Sequence, residues 1–123
     1  MSKSKQRTFG DMGERLAAHH LQSEGYRIVE RNYRRAEGEI DLIATVNATL
    51  AFVEVKARRG SSMGFAREAI TPAKAARLVQ LAEAYASENA SDAALRIDLI
   101  AIDFTRDGRM LSLTHYQNAV TGD

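Results

Sequence analysis

Two strand-like runs, Glu39–Thr45 and Leu50–Arg58, lie so close together in the chain that an antiparallel hairpin is the natural way to join them. Side chains alternate along a strand, so Ile40, Leu42 and Ala44 share one face while Glu39, Asp41 and Ile43 share the other. In the second run Ala51, Val53 and Val55 oppose Phe52, Glu54 and Lys56. A one-residue slip would carry a whole set across the sheet, so apolar consistency selects the register. Pairing Ile40 with Val55, Leu42 with Val53 and Ala44 with Ala51 gives one wholly apolar face. The same register sets Asp41 opposite Glu54 and Glu39 opposite Lys56. It leaves either a tight turn at Asn47-Ala48 or a loop of about four residues.

Two carboxylates that close repel by up to a few kcal/mol at an effective dielectric near 20. A fold tolerates this when a proton or a cation sits between them. With Lys56 beside them, the choices are a salt-bridge network or a divalent metal. The chain has no cysteine, and hard oxygen donors favour Mg²⁺ or Mn²⁺ over zinc. The plainer alternative is a set of solvated charges on the open face of a hairpin. Phe52 and Ile43 on that same face argue instead for cover by a helix.

The remaining elements fall around this hairpin. Asp11 to about Glu24 reads as a helix, with Asp11 as N-cap and Gly25 as the stop. Tyr26–Tyr33 suggests a first strand. Gly60-Ser61-Ser62-Met63-Gly64 opens a loop that runs to about Ile70. Thr71 and the chain's only proline, Pro72, start a second helix with an apolar stripe of Ala75, Leu78, Val79, Ala82, Tyr85 and Ala86. A linker over Glu88–Ala94 leads to a strand at Leu95–Phe104, a turn at Arg106–Arg109 and a last strand at Met110–Tyr116. The fold class is therefore α/β, a mixed sheet of about five strands flanked by helices in the order αβββαββ. Residues 1–9 are expected as a basic flexible tail, 10–117 as the single domain and 118–123 as a C-terminal tail.

Glu14 adds a third acid. It lies in line with Ala17, Ala18 and Leu21, on the side of the helix expected to face the sheet. A capping box with Asp11 explains it equally simply. His19, His20 and His115 read as structural or surface residues, Asp98 as the partner of Arg96 in an internal salt bridge, and Tyr26, Tyr33 and Tyr85 as core edges.

Bulk properties bound the function without naming it. The 123 residues suit one core, and 17 Lys+Arg against 16 Asp+Glu leave a formal charge of +1. The pI of about 8.1 lies below the value of roughly 9 usual for domains that hold nucleic acid by bulk charge. Polyanion binding must come from local clusters. Without cysteine there are no disulfides, thiolate nucleophiles or iron–sulfur clusters. The basic start precedes no apolar stretch and no run approaches a membrane span, so a cytoplasmic, soluble protein is expected.

Taken in order, Gly-x-x-Gly-Glu-x-x-Ala at Gly10 to Ala17, Gly-Glu-Ile-Asp-Leu-Ile-Ala at Gly38 to Ala44, and Phe-Val-Glu-Val-Lys-x-Arg at Phe52 to Arg58 resemble the bacterial YraN family. Lys74, Arg77-Leu78 and Arg96-Ile97-Asp98 extend the likeness, which spans roughly Gly10 to Phe104. That family is itself similar to archaeal Holliday-junction resolvases and to restriction-endonuclease-like nucleases with an Asp…Glu-x-Lys signature. Ile40 stands where the wider signature often has proline. The resemblance implies that Asp41, Glu54 and the Val55 backbone carbonyl ligate Mg²⁺ or Mn²⁺, with Glu14 completing the set. It also implies that Lys56 orients and polarises the attacking water. The expected activity is metal-dependent hydrolysis of phosphodiester bonds in DNA, branched or junction-like. The alternatives are a nucleic-acid-binding module without turnover and an interaction protein whose acids form a salt-bridge network.

Arg34 and Arg35 before the hairpin, Arg58 and Arg59 after it, and Lys74 and Arg77 near the start of the second helix are the candidate nucleic-acid contacts. Solvated surface charge is the competing account of each. The loop from Arg59 to Ile70 is a candidate flap over substrate. The partners expected are DNA and a second copy of the chain as a homodimer, with no membrane and no small-molecule cofactor.

Overall fold

The computed structural model of the chain describes residues 5–60 and 70–120, with side chains from Gly10 onward. The elements are α1 (Lys5–Ser23), β1 (Arg27–Arg35), β2 (Gly38–Val46), β3 (Thr49–Arg59), α2 (Pro72–Glu88), β4 (Ala94–Phe104) and β5 (Met110–Tyr116). The strands form one sheet in the order β1-β2-β3-β4-β5, antiparallel throughout except for the parallel pair β3–β4. A parallel pair needs a crossover, and the segment carrying α2 supplies it. The expected αβββαββ order is what the chain adopts. The candidate flap over 61–69 lies outside the described residues.

The two helices cover opposite faces of the sheet. On one side Ala17, Ala18 and Leu21 of α1 pack with Leu42, Ala44, Ala51, Val53, Ile100 and Ile102. On the other, Leu78, Leu81 and Ala82 of α2 pack with Ile40, Ile43, Leu50, Phe52 and Tyr33. The buried stripe of α2 thus includes Leu81, which the sequence reading passed over, and leaves out Val79, 37% exposed. Leu78, Leu81, Ala82 and Tyr85 follow the i, i+3, i+4, i+7 spacing of one helical face, whereas Val79 stands at its margin. Fully burying a side chain such as Leu81 contributes about 1.5–3 kcal/mol.

Local chemistry sets the element ends. Thr71 accepts a hydrogen bond from the Lys74 amide at 3.2 Å and Pro72 occupies the first helical position, so α2 starts where expected. Gly25, at φ +93°, ends α1 while the Tyr26 amide donates back to the Leu21 carbonyl at 2.9 Å. The start of α1 differs from expectation. It begins at Lys5, so Asp11 lies inside the helix and is no cap, and the capping-box account of Glu14 falls with it. Of the tail expected over 1–9, residues 5–9 carry helical backbone and 1–4 lie outside the described residues.

The C-terminal segment is likewise tied down. The Asn118 amide donates to Asp98 Oδ1 at 2.9 Å, the Ala119 amide donates to the Ile97 carbonyl at 2.7 Å, and Val120 packs on the α2-side core. Residues 121–123 lie outside the described residues. Among the described residues no helix is long and apolar enough to cross a membrane.

Candidate metal and nucleic-acid site

The β2–β3 hairpin forms in the expected register only as far as its inner half. Asn47 and Ala48 make the tight turn with φ of 45° and 35°, and Ala44 pairs with Ala51 and Leu42 with Val53. There the ladder stops. The expected cross-strand pairs Asp41–Glu54, Ile40–Val55 and Glu39–Lys56 do not form. Instead the Val55 amide donates to Asp41 Oδ2 at 2.8 Å, a side-chain bond in the place of a ladder bond.

The alternation of faces breaks at the same point. Leu42 and Ala44 belong to the α1-side core, but Ile40 joins Ile43 on the α2 side. Strict pleating would have put Ile40 with Leu42, as the sequence reading assumed. Ile40 buries under α2, and Asp41 borders the space beyond the last β2–β3 pair. Phe52 faces the α2-side core and Ala51, Val53 and Val55 face the α1 side, as expected, and Ala57 joins the latter.

A cavity of about 360 Å³ lies at this divergence, lined by Gly10, Glu14, Asp41, Glu54, Val55, Lys56 and Ala57. All four residues expected to carry the chemistry therefore border one space, from three elements. Gly13 makes the α1 contribution fit. A Cβ there would stand 3.2 Å from the Ala57 Cβ, tight enough that the neighbour would have to give by a few tenths of an ångström, so glycine eases the close approach of α1 to β3. Glu14 is half-buried, Glu54 is buried at 9% exposure, and Lys56 is exposed.

Electrostatics in this space favour a cation. Burial first, and the Glu54 carboxylate next, push Asp41 up to about 7, against the opposing bond from the Val55 amide. Burial also raises Glu14, with Glu39 and Asp11 adding to it, while a hydrogen bond from Asn32 works the other way. Asn32 had no place in the sequence reading. Its side-chain amide donates to Glu14 Oε1 at 3.3 Å and to Glu39 Oε2 at 2.9 Å. The β1–β2 register brackets Asn32 opposite Asp41, and its φ of 52° lies in the left-handed region that Asn tolerates. A lone Asn within a strand, where Asn is disfavoured, was the available signal.

As they stand, no three acidic or histidine side chains among the described residues are grouped to hold a metal ion. Each carboxylate is engaged elsewhere: Asp41 by the Val55 amide, Glu14 by Asn32, and Glu54 by an ion pair with Lys74 of α2. The donor set nonetheless suits a hard divalent cation. It is all oxygen, it is partly desolvated, and burial together with the neighbouring Glu54 carboxylate raises its central acid.

None of the candidate basic contacts lines the cavity. Arg34 is exposed and stands 3.5 Å from Glu39. Arg35 lies over the Tyr33 ring and pairs with Glu88 at 2.7 Å. Arg58 pairs with Asp103 at 3.0 Å, across the β3–β4 register. Arg59 is exposed, and the Arg77 side chain packs near Gly38. Lys74 touches a cavity residue, through Glu54.

Away from the site, Asp98 is fully buried and its internal pair is present as expected. Arg96 reaches it at 2.8 Å and 2.9 Å, His115 Nε2 at 2.8 Å and the Asn118 amide at 2.9 Å. Burial would raise this carboxyl, but bonds from His115, Arg96 and Asn118 outweigh it and hold Asp98 below its ordinary value. Tyr26 and Tyr33 are buried, in keeping with core edges.

Comparison with known proteins places this arrangement in a family. A UPF0102 protein of Pelotomaculum thermopropionicum is 43% identical over 111 residues, covering 89% of this chain and 92% of its own length. One from Roseiflexus castenholzii is 43% identical over 113 residues, covering 90% and 91%. One from Chlorobium chlorochromatii is 46% identical over 94 residues, covering 76% and 73%. The family model described as "Uncharacterised protein family UPF0102" matches residues 13–102, a span that takes in Glu14, the hairpin and α2. The chain belongs to the UPF0102 family, the YraN-like proteins.

Proposed function

We propose that this protein is a divalent-metal-dependent endonuclease of restriction-endonuclease-like type that hydrolyses phosphodiester bonds in DNA, with branched or junction-like DNA as substrate. One observation carries the reading. Glu14, Asp41, Glu54 and Lys56, brought from α1, β2 and β3, border one cavity whose central acid is pushed up to about 7 by burial and by its fellow carboxylates. Such a cluster is costly to a fold unless a cation relieves it.

In the reaction a water oxygen adds to phosphorus, the bond to one sugar oxygen breaks, and the departing oxygen takes a proton. Asp41, Glu54 and the Val55 carbonyl, with Glu14, would hold Mg²⁺ or Mn²⁺, which when bound supplies a more acidic water and charge neutralisation at phosphate. Lys56 lines the same space and is exposed, suited to hold the attacking water and to stabilise negative charge growing on the phosphate oxygens. The Val55 amide fixes the Asp41 carboxylate, so that its orientation does not depend on substrate. Arg34, Arg59 and Arg77, on surfaces around the hairpin and α2, are the proposed contacts to the sugar–phosphate backbone, and a homodimer is the proposed assembly.

The deciding experiment compares cleavage of a four-way junction and a linear duplex, with Mg²⁺ or Mn²⁺, by wild type, Asp41→Asn and Lys56→Ala. Cleavage by wild type that both variants lose, with DNA binding retained, supports the enzyme. A binding module without turnover is the second reading, favoured by the engagement of Glu54 with Lys74 and of Glu14 with Asn32. DNA binding with no cleavage by wild type would establish it.

A further inference from the structure

Lys74 sits in the first turn of α2, where the bond from its own amide to Thr71 fixes the backbone. Its ammonium pairs with Glu54 Oε2 from across the helix–sheet interface. The two partners differ sharply in freedom. The Glu54 side chain is 11% exposed and anchored on a central strand, whereas that of Lys74 is 40% exposed on a long, flexible stem. Lys56, two residues along the same face of β3, makes no ion pair with Glu54 among the described residues, and Lys74 is the one cation there that does. The anion is held, and the cation can leave.

We propose that Lys74 is the exchangeable counter-ion of Glu54: it neutralises this carboxylate in the metal-free protein, yields it to an entering divalent cation, and only then becomes free for a nucleic-acid phosphate. The proposal rests on the metal-dependent reading above and deepens it. A buried carboxylate left without a partner is strongly destabilising, so a folded metal-free state needs a stand-in for the cation. A monovalent ammonium on a mobile stem fulfils this, and it is displaced by a double charge that three acids share. The pairing keeps Glu54 engaged in a protein in which, among the described residues, no three acids are grouped for a metal. Lys74 is thus a positioning residue whose phosphate contact is conditional on metal.

The test reads Mn²⁺ affinity directly, from the electron paramagnetic resonance signal of free Mn²⁺, in wild type, Lys74→Met and Lys74→Arg. Removing the competitor tightens Mn²⁺ binding by about fivefold or more in Lys74→Met, whereas the bidentate guanidinium of Lys74→Arg weakens it. The arginine variant keeps Glu54 paired and keeps the test valid should the methionine variant fail to fold. If wild type binds Mn²⁺ but both variants bind it as wild type does, or if Lys74→Met binds it less tightly, the exchange is wrong and the metal site stands. If wild type binds none, both readings fail together. A second readout follows binding of a phosphorothioate-backbone duplex by fluorescence anisotropy. Lys74→Met should match wild type without Mn²⁺ and fall behind it with Mn²⁺; an equal deficit in both conditions overturns the exchange.

Discussion

The Val55 amide donates to Asp41 Oδ2 at 2.8 Å, where continued pairing of β2 with β3 would have called for a backbone acceptor. The β2–β3 pairing ends at Leu42 and Val53, and the carboxylate takes the next strand amide. That carboxylate is thereby fixed beside Glu54, and both border the same cavity. The bond stands in for a ladder contact of the hairpin, and the acid it holds is partly buried among other acids.

The metal-free protein should lose stability as pH rises because of Asp41. Its folded value of about 7 lies above the ordinary 3.8, so the native state binds the proton more tightly than the unfolded chain. Stability from this group is full below pH ~4, declines between about 4 and 7, and is level above that. Asp41→Asn keeps an oxygen acceptor for Val55 and removes the titration. The stability of the variant relative to wild type should rise by on the order of a few kcal/mol between pH 5 and 8, read from urea unfolding. An unchanged difference would count against the burial of this acid.

Mg²⁺ or Mn²⁺ should raise the thermal midpoint, because a ligand that binds only the folded state stabilises it by mass action. Glu54→Gln should abolish the rise. The shift should also be larger at pH 8 than at pH 6, since protons compete for Asp41 below about 7. A full metal response in the Glu54 variant would remove that residue from the site.

Gly13→Val should separate site geometry from general stability. Its branched side chain meets the Ala57 Cβ, which would lie 3.2 Å from even a single added carbon, and forces α1 off β3. Overpacking of this kind costs about 1–3 kcal/mol. Because Glu14 rides on the same turn, cleavage should fall further in Gly13→Val than in Gly13→Ala when both are assayed well below their melting points. Equal activities would mean that Glu14 need not be so close.

Asp98→Ala should be among the most destabilising single changes in the protein. It strands the Arg96 guanidinium and leaves His115 and the Asn118 amide without their acceptor. Removing one member of a buried charge network costs about 3–5 kcal/mol, measurable by denaturant unfolding at pH 7. The Asp98 carboxyl is held below its ordinary 3.8, so its stabilising contribution is present above that value and disappears as pH falls through the lower, folded value. The difference between wild type and variant should therefore shrink in strong acid.

Element order, the hairpin turn and both helix-facing stripes were largely legible in the chain, because each follows from local rules of alternation, capping and helical spacing. Thr71-Pro72 marks a helix start by itself, and Asn47-Ala48 marks a turn once the apolar faces are aligned. The break at Asp41 was not legible, since alternation carries no sign of where two strands part. Lys74 on Glu54 and Asn32 on Glu14 were hidden for a similar reason: each joins residues 18 or more positions apart through packing that no short pattern encodes.

The pentapeptide Ile-Asp-Leu-Ile-Ala occurs twice, at Ile40–Ala44 and Ile97–Ala101, and draws that boundary clearly. Both copies form strands, as their shared pattern of branched and small side chains requires. Their acids have opposite fates. Asp41 lies among carboxylates and is pushed up to about 7, whereas Asp98 is ringed by Arg96, His115 and an amide and is held down. Strand formation depends on each residue's own shape and its neighbours in the chain, so the letters suffice for it. A proton's affinity depends on charges and water within a few ångströms, and only the folding together of distant segments decides which charges those are.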